Sequence, residues 1–158
     1  MSVILLDPVR WPHIGLHEIA CGCSYRGCKF KTRDEVLNAI DPGILDVFEE
    51  IREKLGGKPI RINSAVRCKW HQEDVGNSKC SPHVPRKIPG GKRSYAIDLS
   101  IVGHFSSPMQ MRDLIRDTYP DIRIGWMGYQ SFVHIDMAYK HPNKNSVMRR
   151  NWRRGAEW

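Results

Sequence analysis

Two imidazoles and a carboxylate lie on or beside apolar, strand-like runs of this 158-residue chain. His83 closes the segment Ser81-Pro82-His83, Asp98 ends Ser94-Tyr95-Ala96-Ile97-Asp98, and His134 lies in Phe132-Val133-His134-Ile135-Asp136. A lone histidine is more often a satisfied core or surface residue than a ligand. Asp98 and His134 change that reading, because a carboxylate inside Ala96-Ile97-Asp98-Leu99-Ser100-Ile101 must be paired or metal-bound to be tolerated in a core. By strand alternation Ala96, Asp98 and Ser100 share a face of one strand, and Phe132, His134 and Asp136 share a face of another. Adjacent strands would aim Asp98 and His134 at one point. Spacing leaves two readings open: a buried His–Asp ion pair, or a catalytic zinc site of three protein ligands with a fourth position for water.

Such residues need a sheet to position them. Residues 59–66 alternate in the manner of a half-buried strand, residues 95–102 read as a second, and residues 122–126 and 131–137 predict a hairpin through Gly128. Residues 43–56 form the clearest helix: Ile44, Leu45, Val47, Phe48, Ile51 and Leu55 make an apolar stripe, Asp41-Pro42 starts it and Gly56-Gly57 stops it. A second helix is predicted over residues 108–119, with Met109, Met111, Leu114 and Ile115 inward and Ser106 or Ser107 as cap. The expected fold class is α+β, a small mostly antiparallel sheet with two main helices packed on it and the zinc site on the sheet. Residues 1–158 read as a single domain, with an irregular Cys-containing N-terminal segment (1–31) and a basic, Trp-containing tail (140–158). The polar loop over residues 67–93 is long enough to be expected to line a site.

Composition sets outer bounds. Hydrophobic residues make up 41% and charged residues 27%, as in ordinary globular proteins. A net charge of +8 suggests a polyanionic setting such as nucleic acid, anionic lipid or bacterial wall polymer. The tail concentrates this charge, with six Lys/Arg against one Glu from residue 140 onward. Its mixture of Trp152, Trp158 and arginines can bind a polymer or membrane surface; it can equally fold back, with Trp152 plugging the core. No apolar run approaches the ~18 residues of a membrane span. The N-terminus lacks the pattern of a secretion signal, so the expected place of synthesis is the cytoplasm.

Five cysteines cannot pair completely within one chain. Cys21-Gly22-Cys23 followed by Cys28 has the spacing of half a zinc knuckle, with His17 a conceivable fourth ligand; the alternative is a compact loop of buried thiols. Cys68 and Cys80 flank the site loop and would bridge only in an oxidising setting. His13, His71, His104 and His141 have no partner by spacing. Trp126, Tyr129 and Phe132 form either core or an aromatic wall beside the metal.

The order Ser-x-His, then Ala-x-Asp, then an apolar strand carrying His-x-Asp resembles the zinc D-alanyl-D-alanine carboxypeptidases and related peptidoglycan peptidases. Phage endolysins, VanX-type dipeptidases and the hedgehog signalling domain are relatives of that group. The helix at Ile44 to Leu55, followed by Gly56-Gly57-Lys58-Pro59-Ile60-Arg61-Ile62-Asn63-Ser64-Ala65-Val66-Arg67, is similar to the family's helix, strand and Ser-Gly-Tyr-Arg segment. Val75-Gly76 resembles its approach to the first ligand, and Glu18-Ile19-Ala20-Cys21-Gly22-Cys23 resembles the N-terminal segment of some members.

The resemblance implies that His83, Asp98 and His134 are Zn²⁺ ligands. It implies that Arg67 faces the substrate, where its fork suits a carboxylate or developing oxyanion. Ser81 would hydrogen-bond substrate or orient its loop, and Asp136 would hold the His134 ring or act on the water. Three departures from the family pattern stand out. The interval between His83 and Asp98 is longer, and residues 85–92 read as a basic excursion that preserves the register only if it closes on itself. Ser94 replaces a glycine. Ser131 stands where many members carry the acidic general base, leaving Asp136, Glu73 or Asp74 as substitutes.

The expected activity is that of a zinc metallopeptidase hydrolysing D-amino-acid peptide bonds in peptidoglycan stem peptides, as a D,D-carboxypeptidase or endopeptidase. It would act as a monomer at the bacterial wall, in the manner of a phage or virion-associated lysin, with no specific nucleic acid partner. A catalytically idle zinc-bearing domain for structure or wall binding is the alternative. A basic nucleic-acid module built on a Cys-rich knuckle comes third.

Overall fold

The computed structural model describes residues 4–75, 81–88, 91–102, 107–127, 129, 131–140 and 155–157. The chain begins with a hairpin that its prolines conceal in the sequence. β1 (Leu5–Asp7) and β2 (Trp11–Gly15) pair antiparallel. Asp7 makes the turn by accepting the N–H groups of Val9 and Arg10, each at 3.0 Å. The expectation of an irregular segment over residues 1–31 is therefore corrected. A one-turn helix α1 (Leu16–Ile19) and a short α2 (Arg33–Leu37) follow, the latter capped reciprocally by Thr32 and Glu35.

α3 (Pro42–Lys54) forms where its apolar stripe predicts, with Ile44, Leu45, Val47, Phe48 and Ile51 buried. Asp41 caps it by accepting from Gly43 N at 3.0 Å, and Pro42 takes the first turn. Gly56 and Gly57, at φ +67° and +73°, end it in the left-handed conformation that a side chain resists. β3 (Ile60–Ser64), α4 (Lys69–Val75), β4 (Arg86–Ile88), β5 (Gly91–Arg93) and β6 (Ala96–Ile101) come next. α5 (Pro108–Thr118) is capped by Ser107 in a box with Gln110, and β7 (Arg123–Gly125) and β8 (Val133–Asp136) complete the order, with a 3-10 turn at Ala138–Lys140.

The central sheet is antiparallel throughout, with strand order β3-β6-β8-β7. This is the expected α+β architecture, and β7 and β8 are the predicted hairpin. One face is apolar: Ile62 opposes Leu99, Leu99 opposes Val133, and Ile97 and Ile124 both oppose Ile135. These residues join Phe48, Ile51, Met111 and Ile115 of the helices in one core.

The loop after β3 is less irregular than expected, since it holds α4 and the β4–β5 hairpin. Arg86 pairs with Arg93, Lys87 with Lys92 and Ile88 with Gly91, so the basic excursion does close on itself. At the other end, residues 155–157 return to the edge of the sheet: Ile124 N donates to Ala156 O and Gly155 N to Asp121 O, both at 2.9 Å. Expectations placed on Cys80, His104, Ser106, Gly128, His141, Trp152 and Trp158 fall outside the described residues.

Candidate functional site

The second face of the sheet carries the polar residues, and register decides which of them meet. Asp98 on β6 lies directly opposite His134 on β8, Ala96 opposite Asp136, Gly125 opposite His134, and Ser64 opposite Asp98. Directly opposed residues of an antiparallel pair hold their side chains about 5 Å apart, so this register alone sets Asp98 beside His134. Ala96 and Gly125 are small, which leaves room around the two functional side chains.

His83 arrives from the loop. Its main chain is held between two neighbours, as Arg67 N donates to His83 O at 3.0 Å and Tyr95 N donates to Pro82 O at 2.9 Å. Ser81 is buried, and its Oγ accepts from His83 N at 3.3 Å within the same turn.

Three atoms converge: His83 Nε2, His134 Nδ1 and Asp98 Oδ1. The separations are 3.1 Å between the two nitrogens, 3.2 Å from His83 to Asp98 and 2.8 Å from His134 to Asp98. Each ring has its other nitrogen committed elsewhere. His83 Nδ1 lies 2.6 Å from the carbonyl of Ala65, and His134 Nε2 lies 3.0 Å from Asp136 Oδ2. A carbonyl oxygen can only accept, so His83 Nδ1 carries the proton and a neutral His83 turns a lone pair inward. A carboxylate on His134 Nε2 orients that ring in the same sense.

All three residues are at most 6% exposed, so water does not screen the contact. Three lone-pair atoms this close repel unless a cation or a proton sits among them. Two imidazole nitrogens and one carboxylate oxygen, each distal nitrogen tied to an acceptor, are a donor set that fits Zn²⁺. The same residues form one of the two groups able to hold a metal ion among the described residues.

Electrostatics without a metal show the same demand for positive charge. Burial opposes charge on His134, but its hydrogen bonds to Asp136 and Asp98 outweigh it and hold the ring's pKa up at about 9. Burial keeps His83 below the ordinary imidazole value. Burial also works against the Asp98 carboxylate, yet its interactions with His83 and His134 outweigh that and hold its pKa below the usual range.

Arg67 stands beside this centre. Its guanidinium donates to Asp98 Oδ2 at 2.6 Å, to Ser64 Oγ at 2.9 Å and to Gln72 Oε1 at 3.3 Å. Asp136 is fully buried: besides His134, it accepts from Ala138 N at 2.8 Å and lies 3.6 Å from Arg123 Nε. Tyr129 stacks on Phe132 with centroids 4.2 Å apart, and burial together with the charge of Asp98 pushes its phenol up. The Trp126 ring lies under Arg112 and its indole N–H donates to Glu157.

Ser131 is exposed, as are Glu73 and Asp74 on α4; Glu73 lies 3.8 Å from Lys69. Ser64, Gln72 and Ala65 had not been singled out in the sequence. Ser64 and Gln72 give no chemical signal of their own, and the Ala65 contribution is a main-chain carbonyl that no side-chain pattern reveals.

No curated protein and no solved structure matches the chain. A family model described as Peptidase M15 matches residues 12–136, an interval that contains the central sheet and all three converging side chains. The chain belongs to the M15 peptidases, the zinc-dependent family of D-Ala-D-Ala carboxypeptidases and VanX-like enzymes.

Proposed function

We propose that this protein is a zinc peptidase that hydrolyses D-amino-acid-containing peptide bonds in peptidoglycan stem peptides, as a monomeric wall lysin of the phage type. The observation that carries the reading is the inward convergence of His83 Nε2, His134 Nδ1 and Asp98 Oδ1 with both distal ring nitrogens tied to acceptors. Membership of the M15 family supports the reaction class, and a net charge of +8 suits an anionic wall polymer.

In this reading His83, Asp98 and His134 are the metal ligands. Bound there, zinc supplies Lewis-acid polarisation of the scissile carbonyl and lowers the pKa of water to about 7. Arg67 holds the second oxygen of Asp98 and keeps a planar cation at the edge of the site, where a substrate carboxylate or developing oxyanion gains most from it. Ser81 orients the His83 turn, since its hydroxyl oxygen accepts from that residue's N–H. Asp136 is a positioning residue. Its carboxylate lies behind the His134 ring, on the side away from the converging atoms, and is already held by Ala138 and Arg123. In this reading Asp136 acts on the ring and not on the water.

A second reading is favoured by one observation. Ser131, exposed and unable to act as a base at neutral pH, stands where the family resemblance expects an acid. A metal-bearing domain that binds wall without cutting it would tolerate that residue, whereas an enzyme without a general base loses about 10²–10⁴-fold in rate. Incubation with purified peptidoglycan and with D-Ala-D-Ala-terminated peptides, followed by mass spectrometry, separates the two. Release of D-alanine or of cleaved stem peptides, abolished by chelator and restored by zinc, is expected. Intact substrate with zinc-loaded protein would leave only the idle reading.

A further inference from the structure

The second metal-capable group includes Cys68, the residue after Arg67, and the peptidase chemistry makes no use of it. Cys21 and Cys23 follow α1, Cys28 lies in the turn beyond, and Cys68 comes directly after Arg67. Their four Sγ atoms all lie within 4.8 Å of one another. The Cys21–Cys23 separation is 3.5 Å and the Cys23–Cys68 separation 3.6 Å, and all four are free cysteines. Four thiolates around one zinc at a Zn–S distance of ~2.3 Å span tetrahedral edges of about 3.8 Å. The observed separations approach that edge and far exceed the ~2.05 Å of a disulfide.

Main-chain donors on the sulfurs are the independent observation. Cys68 N donates to Cys21 Sγ and His71 N to Cys68 Sγ, each at 3.4 Å. Two of the four sulfurs thus accept a backbone N–H, a contact that favours the thiolate. The Lys31 ammonium, bonded to the carbonyls of Cys21 and Cys23, adds a cation at the edge of the group.

We infer that Cys21, Cys23, Cys28 and Cys68 form a closed, tetrahedral structural zinc site that clips the N-terminal segment to the chain leaving Arg67. His17, the fourth ligand that spacing suggested, is exposed on α1, and Cys68 takes its place. A full set of four thiolates leaves no open position for water, which makes the site structural. Its mechanical consequence follows from adjacency: Cys68 fixes the main chain beside Arg67, and Arg67 reaches Asp98. The inference rests on the sulfur geometry and stands whether or not the peptidase reading holds.

Metal analysis of the full chain, expressed with zinc and kept reduced, provides the test. The wild type should carry two zinc per chain, and His83→Ala should keep one. Titration with an organomercurial should release that remaining zinc as four thiols react. Cobalt substitution of the His83→Ala chain should give the intense sulfur-to-metal charge-transfer bands of a tetrathiolate centre. Cys28→Ser should shift those bands; should that variant not fold, the spectrum of the His83→Ala chain decides. A His83→Ala chain that binds no metal, cobalt bands without thiolate charge transfer, or an iron-loaded centre in place of zinc would each overturn the inference.

Discussion

Asp136 lies two residues beyond His134 on the same strand, and its Oδ2 stands 3.0 Å from His134 Nε2 while Nδ1 of that ring faces Asp98 at 2.8 Å. One imidazole therefore links a buried carboxylate to the converging atoms, with its tautomer set from behind. Outer partners of this kind are worth about 10–100-fold in metal affinity or activity. Asp136→Asn should weaken zinc binding at the His/Asp site by about that factor. The shape of the pH–rate profile should be unchanged at saturating zinc. Loss of the acidic limb of that profile would instead assign Asp136 the base role.

His83 offers a cleaner deletion than Asp98. Removing Asp98 would strand the Arg67 cation in a site where its partner is 8% exposed, whereas His83→Ala leaves the Arg67–Asp98 pair at 2.6 Å in place. We expect His83→Ala to fold, to lose the zinc of the His/Asp site and to lose measurable peptidase activity. Circular dichroism with metal analysis and the D-alanine assay checks this; full activity in the variant would remove His83 from the ligand set.

Much of this site was legible because it lies on regular strands. Alternation in residues 96–101 and 132–136 put Asp98 and His134 on the right faces, and the cross-strand register then made them neighbours. The β1–β2 hairpin was not legible, since three- and five-residue strands punctuated by Pro8 and Pro12 leave no periodic signal. Arg67 was expected to face substrate; its grip on Asp98 depends on a loop path that local pattern does not encode. The fourth thiolate failed for the same reason, because Cys68 lies far along the chain from Cys28 and only the fold joins them.

Phe48 shows how the helices hold the sheet from its apolar side. It is completely buried on α3, in the same core as Ile97, Leu99 and Ile135. Phe48→Ala should cost about 3–5 kcal/mol, from lost burial plus the cavity left behind. Urea unfolding of the zinc-loaded protein measures it, and a loss below about 1 kcal/mol would show that the core collapses into the space.

Alkaline pH should weaken the protein through Tyr119. Burial first, and then the hydrogen bond its hydroxyl donates to Glu50, raise this phenol above its ordinary value. The folded state thus favours the neutral phenol, so the contribution is complete below the unfolded pKa of about 10 and is lost as pH rises through the folded value. Urea midpoints should fall between pH about 9 and about 11, and Tyr119→Phe should flatten part of that slope. An equal slope in both proteins would assign the alkaline loss to other groups.

Arg67 supports two different charges depending on whether metal is present. Without metal its guanidinium is the nearest lasting cation to the buried Asp98 carboxylate, at 2.6 Å, with the two side chains 17% and 8% exposed. Removing one partner of a buried pair costs about 3–5 kcal/mol, so Arg67→Ala should destabilise the chelated protein by about that amount. Zinc at the His/Asp site would itself balance Asp98, so the same substitution should cost less in the loaded protein. Arg67→Lys keeps the charge but cannot reach Ser64, Gln72 and Asp98 together, and should retain most stability while losing substrate turnover. Comparing urea midpoints of Arg67→Ala with and without chelator, alongside kcat and KM for Arg67→Lys, tests both halves. Equal destabilisation in the two metal states would show that Asp98 does not ligate the metal.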